Sequence, residues 1–203
     1  MKQILIRPEI QSYGTFREFA ADYALDERDV ILTNEYIYHP IMAAENLKCG
    51  VIYQEKFGAG EPTDIMAEAI LKEVNKYGAR RIIAVGGGTI IDIAKVLVLE
   101  GGKDIDDMYD KMASLKKGKE LIIVPTTCGT GSEVTNIAVL NRTKLGTKQG
   151  MVSAGMFADK AVLIPEFLGS LPYKVFATSS IDALVHAVES YLNPAASIFS
   201  EMY

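Results

Sequence analysis

A buried strand that runs directly into three consecutive glycines and then a helix is the feature that most constrains this fold. The stretch covers residues 81–95 and reads RIIAVGGGTIIDIAK. Its first half is a continuous apolar run, which is typical of a strand buried on both faces of a parallel sheet. Glycine loses more conformational entropy on folding than other residues, so three in succession indicate a corner that has to be bare.

Short apolar runs alternate with helical patterns along the chain. Strands are predicted at residues 4–8, 29–34, 50–55, 80–86 and 120–125, and helices at residues 15–24, 36–48 and 64–77. This alternation predicts a parallel sheet with helices packed on its faces. Residues 136–140 and 148–153 flank a polar segment and predict a β-hairpin, followed by a strand at 160–165 and helix from residue 173. The predicted fold class is α/β, with a Rossmann-like, mostly parallel sheet, helices on both faces and one hairpin.

Composition excludes several classes of partner. The 203 residues carry a net charge of -5 and their 21 basic residues are scattered, so no basic patch for nucleic acid is predicted. No apolar run approaches the ~18 residues of a membrane span, and the N-terminus lacks the apolar segment of a signal peptide. We therefore expect no nucleic-acid partner, no membrane association and a cytoplasmic location. Cys49 and Cys128 form no CxxC pair, and we expect two reduced thiols.

The glycine corner is predicted to lie at the carboxyl end of its strand, where ligands bind in open parallel sheets. Gly86, Gly87 and Gly88 precede Thr89, the predicted N-cap of the next helix, with Asp92 as its capping partner. Bare N–H groups and the positive end of the helix dipole attract phosphate. The pattern GGGTxxD differs from the GxGxxG dinucleotide fingerprint, and a tight turn with close helix packing explains the glycines equally well.

A second glycine-rich corner, residues 125–135, directly follows the strand predicted at 120–125 and reads PTTCGTGSEVT. Four of its hydroxyl residues are candidates for binding a phosphate, ribose or amide group: Thr126, Thr127, Thr130 and Ser132. Serine, threonine and glycine also dominate ordinary turns, so a turn and capping cluster is the alternative. Two such corners on adjacent strand ends favour a ligand more than one corner does.

Three polar residues outside the corners are further candidates. Asn34 ends the strand predicted at 29–34, where its amide would either bond ribose hydroxyls or cap the following helix. No arginine follows within several residues to meet a 2′-phosphate, which favours NAD over NADP. Lys148, beside the hairpin, would either reach an anionic cofactor or be an ordinary surface lysine. Lys95, two turns into the glycine-corner helix, is predicted to be a solvated charge.

A polar stripe near the end of the sequence offers two metal ligands. Ser179 or Ser180 is the predicted N-cap of a helix that carries them. Asp182 and His186 are four residues apart, which places a carboxylate oxygen and an imidazole nitrogen on one helical face. The pair can chelate one divalent ion, but a catalytic ion needs at least three protein ligands. The alternative is that the stripe is the solvated face of an amphipathic helix.

Three motifs together, in this order and spacing, resemble the signatures of the iron-containing (group III) alcohol dehydrogenase family. They are GGGTIIDIAK, PTTCGTGSEVT and DALVHAVESY. The stretches GVIYQEKFGAGEPTD and LIIVPTTCGTGSEVTN further resemble the 4-hydroxybutyrate dehydrogenase branch of that family. The resemblance covers essentially the whole chain, although members of the family are considerably longer.

This resemblance implies a division into an α/β nucleotide-binding domain, residues 1–172, and the first helix of an all-helical metal-binding domain, residues 173–203. The residues that it implies around the NAD diphosphate and neighbouring ribose are Gly86, Gly87, Gly88, Thr89 and Asp92. Those implied in the second cofactor loop are Thr126, Thr127, Thr130 and Ser132. Asp182 and His186 match the first two metal ligands of the family, and its other two, both histidines, would lie beyond residue 203.

The activity that the resemblance implies is that of a metal-dependent, NAD-linked dehydrogenase of a small hydroxy acid or alcohol. The expected reaction interconverts 4-hydroxybutyrate and succinate semialdehyde, with Fe(II) as the ion, although Zn(II) suits the same ligands. The full-length protein is expected to be a homodimer or higher homo-oligomer, and the 203-residue chain alone is expected to be inactive. The alternatives are a non-catalytic nucleotide-binding fragment, a dehydrogenase of glycerol or 1,3-propanediol, and a dehydroquinate-synthase-like lyase.

Overall fold

The apolar runs of the sequence form a central sheet. The computed structural model describes residues 7–169 and 171–202. The six strands of the central sheet are β1 (Glu9–Ser12), β2 (Asp29–Thr33), β3 (Gly50–Tyr53), β4 (Arg81–Gly86), β7 (Glu120–Pro125) and β10 (Lys160–Leu163). Four further strands form two antiparallel ribbons: β5 (Leu99–Glu100) with β6 (Lys116–Lys117), and β8 (Ile137–Arg142) with β9 (Thr147–Val152).

The helices follow the predicted amphipathic segments. They are α1 (Phe16–Tyr23), α2 (Glu35–Ile41), α3 (Asp64–Lys76), α4 (Gly88–Leu97), α5 (Ile105–Asp110), α6 (Tyr173–Leu192) and α7 (Ile198–Met202). The prediction of one helix over residues 36–48 was wrong in length, because α2 ends just after Pro40, which has no N–H to donate. A separate 3-10 turn, Ala43–Glu45, follows it. The ribbon of β5 with β6 and the short helix α5 were not predicted.

The sheet is parallel throughout, in the order β1-β10-β7-β4-β2-β3. This confirms the predicted α/β fold class, and the pairing of β8 with β9 confirms the hairpin. The strand predicted at residues 4–8 lies mostly outside the described residues, and Arg7 and Pro8 precede β1. Because β4 and β7 are neighbours, the two glycine-rich corners lie side by side at the carboxyl edge of the sheet.

Helices cover both faces of the sheet because the strands are apolar on both sides. Along β4, Ile82 and Ala84 belong to one buried cluster, which includes side chains of α3 and α4. Ile83 and Val85 belong to a second cluster on the opposite face, against α1 and α2. Thus α2 leaves β2 towards one face and α4 leaves the adjacent β4 towards the other. Such a point in a parallel sheet opens a crevice at the carboxyl ends of the strands, where ligands bind.

One buried ion pair ties the beginnings of β2 and β4 together. Asp29 is fully buried, and its two carboxylate oxygens accept hydrogen bonds of 2.9 and 2.6 Å from Nε and Nη2 of Arg81. The two residues are direct partners in the parallel register. The pair therefore fixes the register from which the two strands reach their carboxyl ends.

The C-terminal part of the described chain packs differently. Helix α6 has no buried residue along its 20 positions, and several of its apolar side chains are exposed.

None of the helices in the described residues combines the length and the apolar character needed to cross a bilayer. The division of the chain at residue 172 stays a prediction.

We expect Asp29→Ala to lower the free energy of unfolding by about 3–5 kcal/mol, because it leaves the Arg81 guanidinium buried without its partner. Urea denaturation of the purified chain measures this loss. Arg17→Ala is the matched control, since Arg17 is 74% exposed in its ion pair with Glu45 and its loss should cost less than about 1 kcal/mol. Equal, small losses in the two variants would show that the buried pair does not fix the register.

Candidate functional site

The two glycine-rich corners touch at the carboxyl ends of β4 and β7. Gly86 and Pro125 are register partners, and the Thr126 amide donates a 3.1 Å hydrogen bond to the Gly86 carbonyl. The sequence therefore placed two ligand-binding candidates on one edge correctly, because neighbouring parallel strands end together.

The three glycines of the first corner are bare for different reasons. A Cβ on Gly86 would lie 2.5 Å from Cγ1 of Ile90, so this position is closed by packing of α4 against the strand. A Cβ on Gly87 would lie 3.5 Å from Cγ2 of Thr127, and one on Gly88 would lie 3.7 Å from Cγ2 of Thr130, which are ordinary contacts. Neither Gly87 nor Gly88 has a positive φ. The protein itself therefore requires glycine only at Gly86, and the other two leave backbone open to an outside group.

The first turn of α4 presents its amides at this opening. Gly87 is the N-cap residue and no side chain caps the helix. The prediction that Thr89 is the N-cap and Asp92 its partner was wrong. Thr89 lies inside the helix with its hydroxyl 3.4 Å from the Gly60 carbonyl. Uncapped N–H groups at a helix N-terminus, with the positive end of the dipole, form an anion-binding position.

Asp92 binds the protein itself. Its carboxylate accepts a 2.9 Å hydrogen bond from the Ser132 hydroxyl and a 3.0 Å bond from the Val139 amide. Burial raises the pKa of Asp92 above its ordinary value, partly offset by these bonds and by the nearby Lys95 ammonium. Asp92 and Ser132 were both expected to contact the cofactor, but their polar atoms join α4 to the second corner and the hairpin.

Lys95 completes this connection, and its prediction as a solvated charge was wrong. Its side chain is fully buried, and Nζ lies 2.9 Å from the Ser132 hydroxyl, 2.9 Å from the Thr135 hydroxyl and 2.8 Å from the Ile137 carbonyl. Burial lowers the pKa of Lys95 to about 8 against the opposing effect of the carboxylates of Asp92 and Glu133. One ammonium group therefore holds three separate points of the chain after β7.

A cavity of about 440 Å³ opens in the crevice between α2 and the two corners. Gly87, Thr126 and Thr127 line one side of it. The opposite side is apolar, with Ile37 and Ile41 of α2 among its residues. Open backbone beside an apolar wall suits a ligand with an anionic part and a flat apolar part, such as a nucleotide.

A smaller cavity, of about 190 Å³, lies on the other side of the first turn of α4. Gly88, Asp92 and Lys148 line it, and Lys148 forms an ion pair with Glu61. Both side chains of that pair are more than half exposed. Lys148 therefore stands beside the glycine corner, with an acidic partner that an anionic ligand would have to displace.

Asn34 lies level with the glycine corner. It occupies the N-cap position of α2, but its side chain does not cap the helix. Its amide nitrogen donates a 2.8 Å hydrogen bond to Glu55 and a 3.3 Å bond to Gln54. Sequence reasoning missed Glu55, although its position just after β3 placed it at the same edge of the sheet.

Asp182 and His186 lie in the middle of α6, which begins at Tyr173 with Pro172 at its N-cap position. The predicted N-cap at Ser179 or Ser180 was wrong, because the helical pattern already begins after Pro172. Asp182 Oδ1 and His186 Nε2 are 3.7 Å apart, and both side chains are about half exposed.

The second corner contacts α6 directly. A Cβ on Gly129 would lie 2.5 Å from the Ser179 carbonyl oxygen, so only glycine permits this approach. The Cys128 sulfur lies 3.3 Å from the Ser179 hydroxyl, which lowers the pKa of the thiol. Asp182 and His186 follow this contact by three and seven residues, about 5 and 10 Å along the helix axis.

The donor set on α6 fits a divalent ion in part. Ligand bonds of about 2.0–2.2 Å allow a single ion to reach both the Asp182 oxygen and the His186 nitrogen. Within residues 7–169 and 171–202, no group of three or more His, Cys, Asp or Glu side chains is arranged so that it could hold a metal ion. Asp182 and His186 therefore stay candidate ligands, and a complete metal site is not present among the described residues.

Comparison with known proteins gives consistent results. Residues 11–165 match the sequence profile of the iron-containing alcohol dehydrogenases. The chain is 46% identical over 203 residues to the 4-hydroxybutyrate dehydrogenase of Clostridium kluyveri, which covers all of this chain and 55% of that protein. It is 39% identical over 138 residues to the sulfoacetaldehyde reductase of Bilophila wadsworthia, covering 67% of this chain and 36% of that protein.

A solved structure shares the fold. The sulfoacetaldehyde reductase of Bifidobacterium kashiwanohense, determined in complex with NAD+, superposes with a TM-score of 0.80 at 25% identity. The match covers 94% of this chain and 53% of that one. The chain thus spans about half the length of the relatives that it matches.

We expect the stability that Lys95 contributes to rise with pH. An unfolded lysine titrates near 10.4, so between about pH 8 and 10 the folded chain has released a proton that the unfolded chain retains. The difference in unfolding free energy between the parent chain and Lys95→Met should grow by about 2 kcal/mol across this range. Urea denaturation at several pH values measures it.

Lys72→Met is the control for this measurement, because Lys72 is a lysine of α3 that is 71% exposed. Its stability difference from the parent chain should stay constant over the same pH range. Parallel curves for both variants would contradict the buried charge at Lys95.

Proposed function

Because the chain belongs to the iron-containing alcohol dehydrogenase family, we propose that it forms the coenzyme-binding part of an NAD-linked dehydrogenase of small primary alcohols. The proposed substrate pair is 4-hydroxybutyrate and succinate semialdehyde. The similarity to the enzyme of Clostridium kluyveri over the full length of this chain supports that choice. Activity on glycerol or 1,3-propanediol is the alternative that a substrate comparison decides.

The observation that carries the proposal is the open backbone at Gly87 and Gly88. Neither position needs glycine for packing or for its backbone conformation, yet both lie at an uncapped helix N-terminus, where Gly87 lines the larger cavity and Gly88 the smaller one. A diphosphate resting there would receive N–H groups and the positive end of the α4 dipole. The hydroxyls of Thr126 and Thr127, which line the same cavity, would bond its ribose or nicotinamide parts.

The residues of the two glycine-rich corners have different proposed roles in coenzyme binding. Gly87, Gly88, Thr126 and Thr127 are proposed to contact it, and Thr130 lies next to Gly88 on the exposed side. Gly86, Asp92 and Ser132 are proposed to shape the corner, since packing and internal hydrogen bonds occupy them. Lys148 is proposed to contact the coenzyme from the hairpin side, across the smaller cavity.

Asp182 and His186 are proposed to hold a divalent metal ion, Fe(II) or Zn(II). When bound, the ion supplies Lewis-acid catalysis and the nicotinamide supplies a hydride acceptor. The contact of Gly129 with Ser179 brings α6 against the second glycine-rich corner, so the two proposed ligands would face the space where a substrate meets the nicotinamide. A metal site of three or more ligands requires donors from outside the described residues.

A second candidate function follows from that incomplete ligand set. The chain by itself would bind NAD(H) without turning over an alcohol, as a non-catalytic nucleotide-binding unit. Separate titrations of NADH and of Fe(II) or Zn(II) into the purified chain distinguish a non-catalytic nucleotide-binding unit from an active dehydrogenase. Coenzyme binding with weak metal binding favours the non-catalytic reading for this chain, and tight binding of both favours an active enzyme.

We expect Gly87→Val to weaken NADH binding at least about tenfold while the chain still folds, because side-chain atoms would cover the amides and the added Cβ would make only an ordinary contact with Thr127. Isothermal titration calorimetry measures the affinity, and thermal unfolding checks the fold. Gly169→Val is the control, since Gly169 is exposed and does not line the cavity. Unchanged affinity in Gly87→Val would refute the position of the diphosphate.

In a chain extended to the length of its relatives, we expect His186→Ala to lose bound metal and at least about 100-fold in turnover with 4-hydroxybutyrate. Metal content by mass spectrometry is read beside the rate, and NADH affinity should be retained. His39→Ala is the control, because His39 lies on α2 and pairs with Glu35. Full metal content and turnover in His186→Ala would show that the polar stripe of α6 is the solvated face of an amphipathic helix and not a metal site.

A further inference from the structure

Glu55 is a carboxylate fixed at the carboxyl edge of the sheet. It follows β3 by two residues, and its two oxygens accept hydrogen bonds of 2.8 Å from the Asn34 amide group and 2.6 Å from the Glu35 backbone N–H. Asn34, whose amide group donates to this carboxylate, is only 7% exposed, so the surrounding protein also fixes the position of the donor. Charge-assisted bonds of this length keep the side chain of Glu55 in one position.

The charge of Glu55 has no basic partner among the residues that the structure describes. None of their ion pairs includes it, and the ammonium of the adjacent Lys56 lies 4.6 Å from the ring centroid of Tyr53. The residue that supplies the backbone donor, Glu35, is itself acidic, and its side chain lies 3.5 Å from Nε2 of His39. This corner of the sheet edge is therefore electronegative.

The register places this charge one strand away from the backbone proposed to bind the diphosphate. Leu32 pairs with Ala84, so Asn34 lies level with Gly86 two residues further along each strand. Adjacent strands are about 4.8 Å apart. In dinucleotide-binding sheets, a carboxylate at the end of the strand next to the glycine corner bonds the 2′-hydroxyl of the adenosine ribose. Asn34 occupies that position here, and its amide group holds the carboxylate of Glu55 beside it by a hydrogen bond.

Tyr36 connects Glu55 to the larger cavity. It lines that cavity together with Gly87. Burial raises the pKa of Tyr36, and the Glu55 charge raises it further, which is consistent with the carboxylate lying near the rim. A ribose whose diphosphate rests on Gly87 would therefore face Glu55.

We propose that Glu55 determines the coenzyme specificity of this site, with Asn34 as its positioning residue. Its carboxylate accepts a hydrogen bond from a hydroxyl of the adenosine ribose of NAD(H). The same negative charge repels the 2′-phosphate of NADP(H), and the adjacent Lys56 places its ammonium against the Tyr53 ring instead of pairing with Glu55. This inference rests on the proposed function, because it assumes that the site binds a nicotinamide coenzyme.

Glu55→Gln tests the charge while it keeps the shape and a hydrogen-bonding group. Affinities for NADH and NADPH are measured by calorimetry on the same chain at low and at high salt. The parent chain should prefer NADH at least about tenfold, and Glu55→Gln should reduce that preference at least about fivefold, mainly by tighter binding of NADPH. Since the repulsion is electrostatic, the preference of the parent chain should also shrink at high salt, and that of the variant much less.

Two further variants separate the charge from general effects. Asn34→Ala removes the positioning amide and should lower the preference for NADH while thermal stability shows that the fold persists. Glu68→Gln removes a carboxylate from the surface of α3, where it pairs with Lys72, and should leave the preference unchanged.

The outcomes separate this inference from the proposed function. If the parent chain binds NADH but Glu55→Gln leaves the ratio of the two affinities unchanged, Glu55 is not the specificity residue and the proposed function stands. Equal affinity of the parent chain for NADH and NADPH would likewise rule out Glu55 as the specificity residue and leave the proposed function standing. If the parent chain binds neither coenzyme, the proposed function is overturned and this inference with it.

Discussion

The buried ammonium of Lys95 is the interaction on which the rest of the site depends. The segment after β7 leaves the sheet and is held by few regular backbone pairings before the hairpin begins. Lys95 donates to Ser132, Thr135 and the Ile137 carbonyl, and Asp92 accepts from Ser132 and the Val139 amide. Helix α4 thus positions the second corner beside the first. A buried charge is costly unless every donor finds an acceptor, and here each partner is present.

The glycines show how one sequence pattern serves two purposes. Gly86 and Gly129 are bare because another part of the chain occupies the space of a Cβ, Ile90 in one case and the Ser179 carbonyl in the other. Gly87 and Gly88 are bare where the chain leaves the space open. The first pair brings strand, helix and loop close together, and the second pair then exposes amides at the surface so formed. Close packing therefore explains the glycines at 86 and 129, whereas ligand approach stays a prediction for Gly87 and Gly88.

Most of the fold could be predicted because strands and helices follow from local apolar spacing, and because parallel strands that are neighbours end at a common edge. The side-chain partners within the site could not be predicted. Lys95 bonds residues 37 to 42 positions away, and Asp92 bonds residues 40 and 47 positions away, so helical spacing alone suggested a solvated lysine and a local cap. Glu55 was missed for the same reason, since Asn34 lies 21 positions from it.

The proposed coenzyme position and the proposed metal ligands differ in how firmly the described chain holds them. They are nevertheless connected through a contact at Ser179. The proposed coenzyme position is built from strand ends, a helix N-terminus and a pinned loop, all anchored in a buried core. The proposed metal ligands lie on α6, which has no buried residue and contacts the second corner at Gly129 and Cys128 through Ser179. Because that contact comes from the second corner, the order that Lys95 imposes on this corner also sets where Asp182 and His186 can lie. The position of the proposed ligand pair therefore depends on the second corner, which Lys95 and Asp92 anchor to α4.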